Sequence, residues 1–171
     1  MRADSTQPAR GPIAHGREDR HGSRGVSESG LRVFRLPSNP VSFGVVSDFI
    51  AHYPPFDMYE FGLMVKTIRY QLEQQTHCVG AVGNNLVAYV GWILTTQEIA
   101  EAWTHNRGPL HPNAASGDAV AVTVLAARAG GYILPLIKEA KKLNLNNSVF
   151  WKRSFADGRA DHKRAVRKRA P

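Results

Sequence analysis

Residues 86–92, LVAYVGW, restrict the fold of this chain more than any other stretch. A β-strand points successive side chains to opposite faces, and here both sets are apolar. Both faces must therefore be covered, which puts the strand in the middle of a sheet. Gly83, Asn84 and Asn85 precede it, residues that tolerate the left-handed backbone of tight hairpin turns. Residues 76–82 and 86–94 thus read as an antiparallel hairpin whose second arm is central.

The remaining periodicities are placed around that arm. Residues 42–51 form a short helix capped by Ser42, with Phe43, Val46, Phe49 and Ile50 as its buried stripe. His52-Tyr53-Pro54-Pro55 ends it, because a residue before proline is pushed out of the helical region. Asp57 and Glu60 have capping-box spacing and open a second helix to about residue 74, with Phe61, Met64, Val65, Ile68 and Leu72 facing the core. Thr95 and Glu98 repeat that spacing ahead of a helix to about residue 105. A loop over 106–117 follows, marked by Gly108, Pro109, Pro112 and Asn113. Residues 118–127, DAVAVTVLAA, form another apolar strand. The helix over 132–143 tolerates Pro135 in its first turns, and residues 148–155 form a last strand. The expected fold class is α/β (α+β): a single domain over 42–156, with a central mixed, mostly antiparallel sheet flanked by helices.

A chain of 171 residues holds one such core and hardly a second. Outside it, residues 1–41 begin with a run rich in Arg, Gly, Ser, Pro and Asp that has little apolar surface to offset its ordering entropy, so a disordered, mildly basic tail is expected. Residues 157–171 are expected to be a basic C-terminal tail. The 22 Lys and Arg against 14 Asp and Glu, a net charge of +8, favour an acidic partner: nucleic acid, anionic lipid or an acidic protein. The single cysteine, Cys78, excludes an internal disulfide. It fits a reducing cytoplasm. No apolar run approaches the roughly 20 residues of a membrane span. The first residues also lack the apolar core of a secretory signal. A cytoplasmic protein with no membrane span is expected.

Three passages offer chemistry. In the first, strand, Gly130-Gly131 and helix follow one another. Backbone N–H groups at such a turn can approach a phosphate, where the helix dipole favours the anion and Arg128 adds a charge-assisted bond; ordinary turn chemistry also accounts for the two glycines. In the second, His52 stands at a helix end, where an imidazole can act as a general base near neutral pH or serve as a cap. His77 lies in a strand and reads as structural, while His105 and His111 have no metal-ligand spacing with Cys78. No metal site and no bound cofactor are expected. In the third, the basic run from Lys152 could neutralise nucleic-acid phosphates or grip an acidic protein. It lacks interleaved aromatics beyond Trp151 and Phe155, and the core shows no stacking platform, so nucleic acid is not the expected partner.

Taken together, LVAYVGW at 86–92, Ser116-Gly117-Asp118 ahead of an apolar strand, Ala127-Arg128-Ala129-Gly130-Gly131 after it, and GVVSDFIAHYPPFD at 44–57 resemble one family. It is that of the RTX toxin-activating lysine acyltransferases, typified by the hemolysin-activating protein C, which are similar to GNAT acetyltransferases in fold. The resemblance spans about residues 43–155. It implies a GNAT-like domain that moves a fatty acyl group from acyl carrier protein, through its phosphopantetheine-linked thioester, to internal lysines of an RTX-type protoxin. It also implies that Arg128, Gly130 and Gly131 hold the acyl donor and that Tyr89 and Trp92 support the site. Homodimers are common in the family. Its histidine and aspartate positions fall here on Phe56 and Val124. His52, four residues from the first, is the candidate catalytic base. For the second, Asp118 shares a face by strand parity but stands roughly 20 Å away, and Thr123 is expected on the opposite face. The same resemblance admits a catalytically degenerate member that acts as a binding or assembly protein.

Overall fold

The computed structural model describes residues 30–113, 117–154 and 160–168, the last of these and residues 153–154 as backbone only. The strands form one six-stranded sheet in the order β1-β2-β3-β4-β5-β6: Leu31–Phe34, His77–Val82, Asn85–Thr95, Ala119–Ala127, Ser148–Ser154 and Ala160–Lys168. All neighbours are antiparallel except β4 and β5, which run parallel. The mixed, mostly antiparallel sheet of the expected fold class is present, and β3 lies inside it. The hairpin turn uses left-handed backbone at Gly83 (φ +59°), and Val82 pairs with Asn85.

Helices α1 (Pro40–Ala51), α2 (Phe61–Glu73) and α3 (Gln97–Thr104) cover one face, and α4 (Ile133–Leu143) covers the other. Under α1 and α2 lie Val46, Phe49, Ile50, Ile68 and Leu72, packed on Val79, Tyr89, Val124 and Ala126. Under α4, Leu136 packs on Cys78, Ala88, Val90, Trp92 and Val120. Tyr89 and Trp92 thus anchor opposite cores, as their odd spacing on a pleated strand requires. No helix among the described residues is long and apolar enough to cross a membrane.

Several expected boundaries are corrected. Residues 31–34, assigned to the N-terminal tail, form β1 and pair with Val79–Val82 of β2. The backbone of residues 160–168, assigned to the C-terminal tail, forms β6 beside β5. The expected tail over residues 1–29 lies outside the described residues. Helix α1 is capped by Asn39 rather than Ser42: the Asn39 side chain accepts from the Ser42 amide at 2.8 Å, with Pro40 in the first turn. The capping box at Asp57 and Glu60 does not form. After the cis Pro54-Pro55 bond, residues 56–58 make a 3-10 turn. There the Phe56 and Met58 amides donate to Tyr53 and Pro55 carbonyls, so the helix opens later, at Phe61. Phe61 is therefore not in the buried stripe and is 81% exposed. Thr95 ends β3 and its hydroxyl donates to the His111 carbonyl at 2.8 Å; Thr96 caps α3 instead, accepting from Ile99.

Candidate active site

The parallel pair β4–β5 is the feature that opens the sheet. Its pairing covers only Ala119–Val122 against Ser148–Trp151, while β4 continues to Ala127. Beyond Val122 the edge of β4 that faces β5 has no ladder partner among the described residues. Unpaired strand edges present N–H and C=O groups that an extended, amide-containing chain can use.

The divergence starts at a bulge. Gly91 pairs with Val124 and Trp92 with Val122, leaving Thr123 as the extra residue. A bulge breaks the two-residue alternation of side chains. Val120 and Val122 accordingly face α4, whereas Val124 and Ala126 face α1 and α2. Thr123 shares that second face, because its hydroxyl accepts from Gln71 of α2 at 2.7 Å. This corrects the expectation that Thr123 opposes position 124, and it removes the parity argument for Asp118. Asp118 serves another purpose: its side chain accepts from the Gln97 amide at 3.0 Å, at the start of α3.

A buried polar network lies behind the bulge. The Tyr89 hydroxyl donates to the Gln71 side-chain oxygen at 2.8 Å, and the Thr123 hydroxyl reaches the Gly91 carbonyl at 3.4 Å. Burial raises the pKa of Tyr89, so it remains a neutral donor. His77 Nε2 accepts from the Leu36 amide at 3.0 Å, which requires His77 Nδ1–H to donate to the Gln71 carbonyl at 3.0 Å. Both ring nitrogens are occupied, and the structural reading of His77 agrees with this. Gln71 was missed in the sequence, and Thr123 was expected on the wrong face. The available signal was a polar residue, Gln71, set between Ile68 and Leu72 in the apolar stripe of α2.

His52 and Arg128 come together. They line one cavity of about 510 Å³, with Val45, Asp48, Phe49 and Tyr53 of the α1 end and Asn84, Asn85 and Leu86 of the hairpin. That volume lies within the range of small-molecule sites. His52 is exposed, and its Nδ1 lies 2.7 Å from the Asp48 carbonyl oxygen. A carbonyl only accepts, so Nδ1 carries the hydrogen and, in the neutral ring, Nε2 holds the lone pair. His105 makes the same bond to the Glu101 carbonyl at 2.8 Å, which shows it as a general helix-end geometry; the cavity distinguishes His52. The Arg128 amide donates to the Val87 carbonyl at 2.8 Å, holding the end of β4 against the start of β3.

Gly130 and Gly131 open the turn into α4. Both are exposed, and an added Cβ would meet nothing within 4 Å at either. No side chain caps this turn, so its backbone is bare. Phe56 is half-buried against the α1–α2 core, with its ring 5.6 Å from that of Tyr59. Val124 is 2% exposed in the same core. Neither position holds a group that titrates. Burial pushes the Cys78 thiol up to about 11, which leaves it a packed, unreactive side chain.

The fold, though not the site, has a counterpart among solved structures. A GNAT-family acetyltransferase from Streptococcus agalactiae aligns with a TM-score of 0.54 and 13% identity, over 75% of this chain and 78% of its own. The fold is GNAT-like. The diaminobutyrate acetyltransferase EctA from Paenibacillus lautus, solved with L-2,4-diaminobutyric acid and coenzyme A, aligns over 72% of this chain and 66% of its own, with 11% identity and a TM-score of 0.49. The loading GNATL domain of CurA from Lyngbya majuscula aligns over 72% and 65%, with 9% identity and a TM-score of 0.49. This GNAT-like chain thus spans just under two thirds of the length of these last two. No protein-family model and no curated protein matches the sequence.

Proposed function

We propose that this protein is a thioester-dependent acyltransferase that takes a fatty acyl group from acyl carrier protein and transfers it to lysines of an RTX-type protoxin. The supporting observation is the shared cavity of His52 and Arg128 at the end of β4. In this reading the donor lies along the unpaired edge of β4, close to Arg128 and the bare Gly130-Gly131 turn. The acceptor amine gives up its proton to His52 Nε2. The Asp48 carbonyl fixes the tautomer. This contact takes over the orienting role for which position 124 has no carboxylate. A net charge of +8 suits docking of an acidic carrier protein.

The test is transfer of labelled acyl groups from acyl carrier protein to a lysine-bearing acceptor. His52→Ala is expected to lose roughly 10²–10⁴-fold in rate, the usual contribution of a general base, while its thermal midpoint changes little because the residue is exposed. Wild type that binds the carrier but transfers no label would overturn the enzymatic reading. It would favour a second one, a non-catalytic binding protein, which the apolar packing of Phe56 and Val124 supports.

A further inference from the structure

Lys152 stands one residue beyond the last β4–β5 pair, Val122 with Trp151. It is therefore the first residue of β5 on the diverging arm, level with the Thr123 bulge. Side chains alternate along this strand. Phe150 packs with Ala100 of α3, Trp151 lines a small apolar space with Ile137 and Ala140 of α4, and Lys152 returns to the α3 side. Its Nζ lies 4.5 Å from the centre of the Trp103 ring and donates to Asn106 Oδ1 at 2.8 Å. No carboxylate among the residues whose side chains are described lies within ion-pair distance of it. A half-buried ammonium facing an aromatic ring and a neutral amide is poorly compensated, and burial lowers its pKa. Lys138 and Lys141, by contrast, are exposed.

We propose that Lys152 is an acyl acceptor within the chain: its amine takes an acyl group from a thioester lying in the β4–β5 opening. The inference rests on the acyltransferase reading above. The neutral Nζ attacks the thioester carbonyl carbon; the C–N bond forms, the C–S bond breaks, and the thiol leaves with the proton that the amine gives up. The products are an amide on Lys152 and a free thiol, with no oxidant or other reactant needed. Location gives the selectivity, because Lys152 is the lysine beside the unpaired edge on which an extended donor lies.

The experiment incubates the full chain with the octanoyl thioester of N-acetylcysteamine and, in parallel, with octanoylated acyl carrier protein, followed by intact mass and peptide mapping. A single adduct is expected, at Lys152 ahead of Lys138 and Lys141. Lys152→Arg should lose it with an unchanged thermal midpoint, since arginine retains a cation over Trp103 and a donor for Asn106. Adducts that form as fast on the exposed lysines, or a single adduct that persists in Lys152→Arg, would overturn the inference. Transfer to an added lysine peptide with Lys152 unlabelled would overturn it and leave the acyltransferase standing. No label anywhere, with no carrier binding, would remove both.

Discussion

An added Cβ at Gly91 lands on the side-chain amide of Gln71, the group that accepts from Tyr89 and donates to Thr123. Gly91→Ala must therefore push Gln71 aside or break both bonds, and it should cost about 1–3 kcal/mol as an overpacking change. In a Gln71→Ala background that clash is gone, so the same substitution should cost measurably less. Urea denaturation of both singles and the double variant reads the coupling; equal penalties in the two backgrounds would contradict the close approach. The sequence shows a glycine in a strand and a glutamine in an apolar stripe. That the two meet depends on how α2 lies across β3, which no local pattern encodes. His52 was legible as an imidazole at a helix end. Its tautomer and its cavity follow from the carbonyl four residues back and from the hairpin that faces it.

Helix α1 carries His52 at its far end, and its start depends on one side chain. Asn39→Ala removes the bond to the Ser42 amide and should cost about 0.5–2 kcal/mol, with Asn39→Ser recovering most of it. Thermal melts of the two variants decide this, and no difference between them would argue against the cap. The stripe of α1 was readable from its spacing, but its first residue was not. Asn39 and Ser42 are both good caps, and Pro40 in the first turn selects the earlier one. The Asp57–Glu60 box misled for the opposite reason. Its spacing is correct, but Pro54 and Pro55 hold the chain in turns that use the nearby N–H groups. Strand β6, ADHKRAVRK, reads as solvated charge. It is a strand because β5 offers it an edge. The bulge at Thr123 was equally hidden, and with it the side chains that share a face at the end of β4.

Across the whole molecule, His77 joins the start of the chain to its centre: the Leu36 amide after β1 donates to one nitrogen, and the other donates to α2. Burial lowers its pKa below the ordinary 6.5, opposed by the Gln71 carbonyl and reinforced by Arg35. The unfolded chain therefore takes up the proton first on acidification. His77 should contribute its full stability above its unfolded pKa and lose it as pH falls towards the folded value. Urea midpoints should drop as pH falls below the ordinary histidine value of 6.5, and His77→Gln should flatten that slope. A slope unchanged in the variant would assign the effect elsewhere. The sequence alone determined the fold class, the central place of β3, the existence of α1 to α4 and the candidacy of His52, Arg128, Gly130 and Gly131, because period, turn chemistry and apolar runs act over short distances. Only the tertiary structure decided that β1 and β6 complete the sheet, that β4 and β5 part after Val122, and that His52 meets Arg128 in one cavity. Strand pairing and helix docking join residues far apart in the chain, and their energy lies in contacts that no single segment contains.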